Sequence, residues 1–144
     1  MEDYAVLTAL ATHFRNSTPP TGETLRLVAP FPPESLGATP ALVLYQGSDT
    51  VSYGASNRTT TLTITAVLHL PLVEFARSYE RISKWRTWMR DSLIDGVLLE
   101  NTAGVGQASI VGTSTDTTDY GDAPMLTITG NIEVVGVEAI SPSA

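Results

Sequence analysis

The feature that most constrains this chain is a change of period at a single proline. From Thr61 to Leu70 the residues alternate. Leu62, Ile64, Ala66, Leu68 and Leu70 fall on one side, and Thr61, Thr63, Thr65 and His69 on the other. A two-residue period is that of a half-buried antiparallel strand. Pro71 stops it. Leu72, Phe75, Tyr79, Ile82, Trp85, Met89 and Leu93 then recur every three or four residues, the spacing of an amphipathic helix of about six turns. Both tryptophans lie in this helix, predicted over Leu72–Leu93, and Asp95-Gly96 supplies a C-cap signal. A strand leading directly into a core helix requires a fold that layers helices on a sheet.

The flanking segments extend the pattern. Glu2–Arg15 has apolar residues at spacings of three and four, acidic residues at its start and Arg15 at its end, which suits a helix dipole. Asn16-Ser17-Thr18-Pro19-Pro20 ends it. Thr24–Ala29 predicts a short strand. Pro30, Pro32, Pro33 and Pro40 stiffen the connection that follows. Ala41–Gln46 predicts a buried strand. Ser48–Arg58, rich in Gly, Ser and Asn, predicts a flexible hairpin or loop, a mobile arm that orders on a partner through Ser48, Asp49, Tyr53, Asn57 and Arg58. Gln107–Thr113 and Met125–Val137 predict two further strands, with an acidic, turn-rich loop between them at 115–122. Gly130 and Gly136 interrupt the last strand, at bulges or where another backbone comes close. Residues 139–144 predict a frayed end. The expected fold is one α+β domain, a mainly antiparallel sheet of about five strands with two helices packed on one face.

Composition narrows the chemistry. The chain has 144 residues and no cysteine, so disulfides, thiolate metal sites and cysteine nucleophiles are excluded. Its only histidines, His13 and His69, have no metal-ligand spacing around them. Gly104–Ser109 resembles a phosphate loop only faintly, because it neither follows a clear strand nor opens a helix. Asp116, Asp119 and Asp122 have oxygens for a hard cation, yet not at EF-hand spacing. The sequons at Asn16 and Asn57 matter only on a secretory route. No catalytic residue, metal or cofactor is expected. The start, Met1-Glu2-Asp3-Tyr4, is acidic where a signal peptide is basic, and no apolar run is long enough to span a bilayer. A soluble intracellular protein with no membrane partner is expected.

Charge is split along the chain. The net charge is −7, which disfavours general nucleic-acid binding. Five of the eight basic residues, Arg77, Arg81, Lys84, Arg86 and Arg90, lie in the long helix, and residues 91–144 contain none. One reading is an ordinary solvated helix face, helped by pairing of Glu80 with Lys84. The other is a docking stripe for an acidic surface, which Asp116, Asp119, Asp122, Glu133 and Glu138 would offer on another copy.

The order of these elements resembles the tail terminator proteins of long-tailed bacteriophages, with related neck and tail-completion proteins. The residues that carry the likeness are Pro40-Ala41-Leu42-Val43-Leu44-Tyr45, the Thr-rich strand Thr59–Leu70, and the helix bearing Tyr79, Ile82 and Trp85. The match is one of pattern and length over residues 2–138. It implies an antiparallel sheet with helices on one side. It also implies a homo-oligomeric, hexameric ring that caps the tail tube, ends its polymerisation and offers a surface to the head-completion or connector protein. Double-stranded DNA would pass through the lumen without specific binding, in a virion assembled in the host cytoplasm. A head-closure protein or a tube subunit shares this description. A small ligand-binding or enzymatic α+β domain is the other alternative.

Overall fold

A computed structural model of the chain describes residues 3–71, 75–93, 107–120 and 123–139, with side chains described for all of these except 75–78, 118–120, 123–124 and 139. The elements are α1 (Asp3–Asn16), β1 (Leu27–Ala29), β2 (Ala41–Tyr53), β3 (Asn57–Pro71), α2 (Phe75–Ser92), β4 (Gln107–Tyr120) and β5 (Ala123–Ala139). The five strands form one sheet in the order β1-β2-β3-β5-β4. The α+β class therefore holds, with five strands and two helices. The sheet is mixed, however, and not the mainly antiparallel one expected. β1 runs parallel to β2, while the other three pairings are antiparallel. The reason lies in residues 30–40. This proline-punctuated connection contains a cis Thr39–Pro40 bond and is about as long as a parallel return requires. It lets β2 start beside β1 in the same direction, and the Arg26 N–H donates to the Pro40 carbonyl at 2.9 Å.

The strand alternation read from the sequence decides where the core sits. Leu62, Ile64, Ala66, Leu68 and Leu70 of β3 join Leu126, Ile128, Ile132 and Val134 of β5, Leu42 and Leu44 of β2, and the apolar sides of both helices in one buried cluster. α1 supplies Val6, Leu7, Leu10, Ala11 and Phe14, and α2 supplies Trp85, Trp88 and Met89. α1 lies over β1 and β2, and α2 over β4 and β5. The helices meet near their C-terminal ends. The Phe14 and Trp88 rings are 5.7 Å apart, and His13 Nε2 is 2.7 Å from the Ser92 carbonyl. The helix start expected at Leu72 and the cap expected at Asp95-Gly96 lie outside the described residues.

Gly130 stays in the β3–β5 ladder opposite Ala66, so it marks no bulge. The intruder is a side chain and not a backbone. A Cβ there would stand 2.5 Å from the Met89 sulfur and 3.0 Å from Ile110 Cδ1. The glycine thus makes the seat on which α2 rests. Met89 is fully buried and has little room to yield, so Gly130→Ala is expected to cost about 1–2 kcal/mol by overpacking. Chemical denaturation checks this, and Gly130→Ala combined with Met89→Ala should cost less than the sum of the two single changes.

The opposite face of the sheet has a smaller buried patch. Ala41, Val43, His69 and Thr127 lie there, with His69 only 4% exposed and opposite both Ala41 and Thr127 in the ladders. Burial holds the His69 imidazole below its ordinary pKa, because desolvation disfavours the cation. The unfolded chain then takes up a proton that the folded chain resists. Stability should fall as pH drops below about 6.5, the unperturbed value for histidine. Thermal melts between pH 7.5 and 5.5 test this, and His69→Gln should flatten the slope. An unchanged slope in that variant would assign the dependence elsewhere.

Candidate functional site

The strands are long compared with the helices. β3 has 15 residues, or roughly 50 Å at the usual rise, whereas α2 has 18, or roughly 27 Å. The helices therefore cover only part of the sheet. Beyond Leu62 the strands continue as a blade, with Asp49–Tyr53 of β2 and Val135–Ala139 of β5 on either side of Asn57–Thr61 of β3. A turn at Gly54–Asn57 closes its tip, where the Gly54 N–H donates to the Asn57 carbonyl at 2.9 Å.

The blade holds the residues expected in the Ser48–Arg58 arm from Asp49 onward, with Ser48 in the bulge at its base. It is a paired ribbon, with Thr50, Val51, Ser52 and Tyr53 each opposite a β3 residue. Gly47 and Ser48 form a bulge between Gln46 and Asp49. The Ser48 N–H donates to the Thr63 hydroxyl at 3.0 Å, and that hydroxyl donates back to the Ser48 carbonyl at 2.9 Å. A Cβ at Gly47 would stand 2.5 Å from the Thr63 carbonyl oxygen, so the bulge requires glycine. Arg58 donates to Glu138 on the adjacent strand at 2.6 Å, and this contact raises the Arg58 pKa. The β2 side chains of the ribbon are exposed, while Arg58–Thr61 of β3 are half-buried. Tyr53 is 70% exposed and Val137 on the neighbouring strand 56%.

The basic stripe is largely used within the molecule. Arg81 grips Glu23 through two parallel bonds, Nε–Oε1 at 2.8 Å and Nη2–Oε2 at 2.9 Å. This holds the turn after α1 onto α2. Arg86 donates to the Thr113 hydroxyl at 3.1 Å and ties α2 to β4. Lys84 lies 3.4 Å from Glu80 one turn away. Arg90 is exposed, and among the described residues its contact is a long one of 3.4 Å to the Arg86 carbonyl. The Arg77 side chain lies outside the described residues.

The acidic run is not the loop expected at 115–122. Asp116 and Asp119 are in β4, paired with Thr127 and Pro124 of β5. Asp116 is exposed. Its register with Thr127 and His69 puts it on the sheet face turned away from the helices. The Asp119 side chain and all of Asp122 lie outside the described residues. Among the described side chains, Asp116 is thus not brought to the basic set within one copy, and Arg81 and Arg86 have structural partners that the sequence did not reveal.

A shallow groove of about 680 Å³ runs between residues 17–20 and the outer side of α2, lined by Glu80, Lys84, Thr87, Trp88 and Asp91 among others. Among the described residues no group of three or more His, Asp or Glu side chains could hold a metal ion. No described helix is long and apolar enough to cross a membrane. No protein-family model matches the chain, and no curated protein matches it.

Proposed function

We propose that this chain is a structural subunit of the neck or tail of a long-tailed bacteriophage and catalyses no reaction. In this reading it forms a homo-oligomeric ring, a hexamer by its resemblance to tail terminators, in the virion after assembly in the host cytoplasm. The ring caps the tail tube, ends polymerisation of the tube protein and presents a surface to the head-completion or connector protein. Double-stranded DNA passes through without specific contacts, as suits a chain of net charge −7.

The observation that carries this reading is the blade. Its strands run beyond the helices, and Val51, Tyr53 and Val137 stand exposed on it. Exposed apolar and aromatic side chains on a weakly charged surface favour a protein contact. Such a blade adds little to the core of a lone subunit, whereas in an assembly its surfaces have neighbours.

The test is assembly of tail tubes from tube protein with and without this chain, measured by electron microscopy. A terminator binds tube ends and shortens the length distribution. A tube subunit would instead polymerise into cylinders by itself. A chain that neither binds ends nor changes lengths would refute the terminator role.

A further inference from the structure

We propose that copies of this chain join edge to edge, with the open edge of β2 in one copy pairing antiparallel with the open edge of β4 in the next. This deepens the ring reading above and names the surface through which the ring closes.

The two edges are complementary in direction. β2 is antiparallel to β3, β3 to β5 and β5 to β4, so β2 and β4 run in opposite senses on opposite sides of the sheet. A like-oriented second copy placed alongside therefore brings β4 antiparallel to β2 with no flip. The contact is head-to-tail, and repeating it generates a ring or an open helix.

Both edges are open over comparable lengths. β1 pairs with β2 only at Ala41–Val43, so Gln46–Tyr53 has no outer strand among the described residues. β4 is the last strand of the sheet, and no described strand pairs with Ser109–Thr117 on its outer side. Unpaired N–H and C=O groups along an edge are a template for another strand. Proteins that stay monomeric usually block such edges with lysine or proline, and neither edge contains a lysine, arginine or proline.

The edges are displaced along the strands. From the rung of Ile64 and Ile132 the open part of β2 runs toward the blade tip and the open part of β4 toward the opposite end. The neighbouring copy therefore pairs with a shift along the strand direction, as strands tilted about a ring axis do. Each edge has one bulge, at Gln46/Asp49 in β2 and Ile110/Gly112 in β4. Through the shared ladder, Gln46 and Ile110 both stand level with Ile64 and Ile132. Bulges bend and twist a strand. Two of them at one height on opposite edges give the curvature that a sheet closing around an axis requires. Val111, the extra residue of the β4 bulge, is 59% exposed and lies where a neighbouring strand would cover it.

The absence of cysteine makes the test clean. Single-cysteine variants on β2 (Asp49→Cys or Ser52→Cys) are mixed with variants on β4 (Ser109→Cys or Ser114→Cys) and treated with a short bismaleimide, while sedimentation and native mass spectrometry report assembly. Cross-linked dimers are expected from β2-with-β4 mixtures and not from either variant alone. Val111→Lys should reduce the assembled fraction at least tenfold and leave the melting temperature unchanged at concentrations where both proteins are monomeric. Like-with-like cross-links, assembly undisturbed by Val111→Lys, or a chain that stays monomeric at its solubility limit would each overturn the proposal. Rings that form through these edges yet ignore tube ends would leave it standing and defeat the terminator reading. Tube capping by rings cross-linked elsewhere would do the reverse.

Discussion

Replacing Trp85 with alanine is expected to cost about 3–5 kcal/mol, the usual penalty for emptying a large aromatic site in a core. That is a large share of the 5–15 kcal/mol that typically stabilises a domain. Trp85 is fully buried and stands edge-on to Trp88, with ring centroids 5.1 Å apart. Trp88 in turn packs against Phe14, so the tryptophan pair is the joint between α1 and α2. Its loss should loosen both helices, leaving the His13 contact with the Ser92 carbonyl and the Arg81–Glu23 pair to hold them together. Trp85→Phe separates volume from polarity. The indole N–H is buried and has no hydrogen-bond partner among the described residues, so phenylalanine removes an unmet donor along with some volume. Its cost should stay below about 1.5 kcal/mol, as for swaps that roughly conserve volume. Denaturant titration followed by circular dichroism checks both. If Trp85→Phe proves as damaging as Trp85→Ala, the indole N–H has a partner that matters.

This core was legible in the sequence because burial imposes periodicity. Leu62 to Leu70 alternate since one side faces the helices, and Trp85, Met89 and Leu93 recur since one side faces the sheet. Where neither side is buried, the pattern vanishes although the strand persists. β2 from Ser48 to Tyr53 and β4 from Thr115 onward read as loops for this reason. Among the described strands each is paired on its inner side only, while the described side chains of 48–53 and 115–117, mostly Ser, Thr and Asp with Val51 and Tyr53 among them, are exposed. The long, partly exposed strands behind the proposed assembly edges were therefore the part of the fold least visible beforehand. The parallel β1–β2 pairing was hidden for a different reason. It depends on the path of residues 30–40, and no local preference encodes that path.

The charge split shows a third limit. Clustering of Arg77, Arg81, Lys84, Arg86 and Arg90 on one helix is plain in the sequence, but their partners are distant along the chain. Glu23 meets Arg81, and Thr113 meets Arg86. Neither pairing has a local signal. A stripe that invites an intermolecular reading thus supplies, at two of its positions, intramolecular fasteners. What remains for docking is the exposed part of the stripe at Lys84 and Arg90. That part lies on the helix side of the molecule, while Asp116 lies on the other side of the sheet. Charge complementarity between copies then acts across the two faces, and edge pairing acts within the plane of the sheet.

Arg81→Glu distinguishes the two roles of that stripe and should destabilise the monomer by about 2–4 kcal/mol. Removing one partner of a well-buried ion pair costs roughly 3–5 kcal/mol. The Arg81 and Glu23 side chains are 23% and 13% exposed, so solvent screening reduces that figure, while the new like-charge contact adds to it. Two parallel bonds hold the guanidinium to the carboxylate, and such paired, charge-assisted bonds are stronger than single neutral ones. The turn after α1 would lose its anchor on α2, and the groove between them would open. The reversed pair, Glu23→Arg with Arg81→Glu, should restore part of the loss, less than all because the planar fork would now project from the turn and not from the helix. Urea unfolding of the two single variants and the double variant gives the coupling energy directly. A purely intermolecular Arg81 would behave differently. Its reversal would leave monomer stability untouched and weaken only assembly, and the Glu23 partner would rescue nothing.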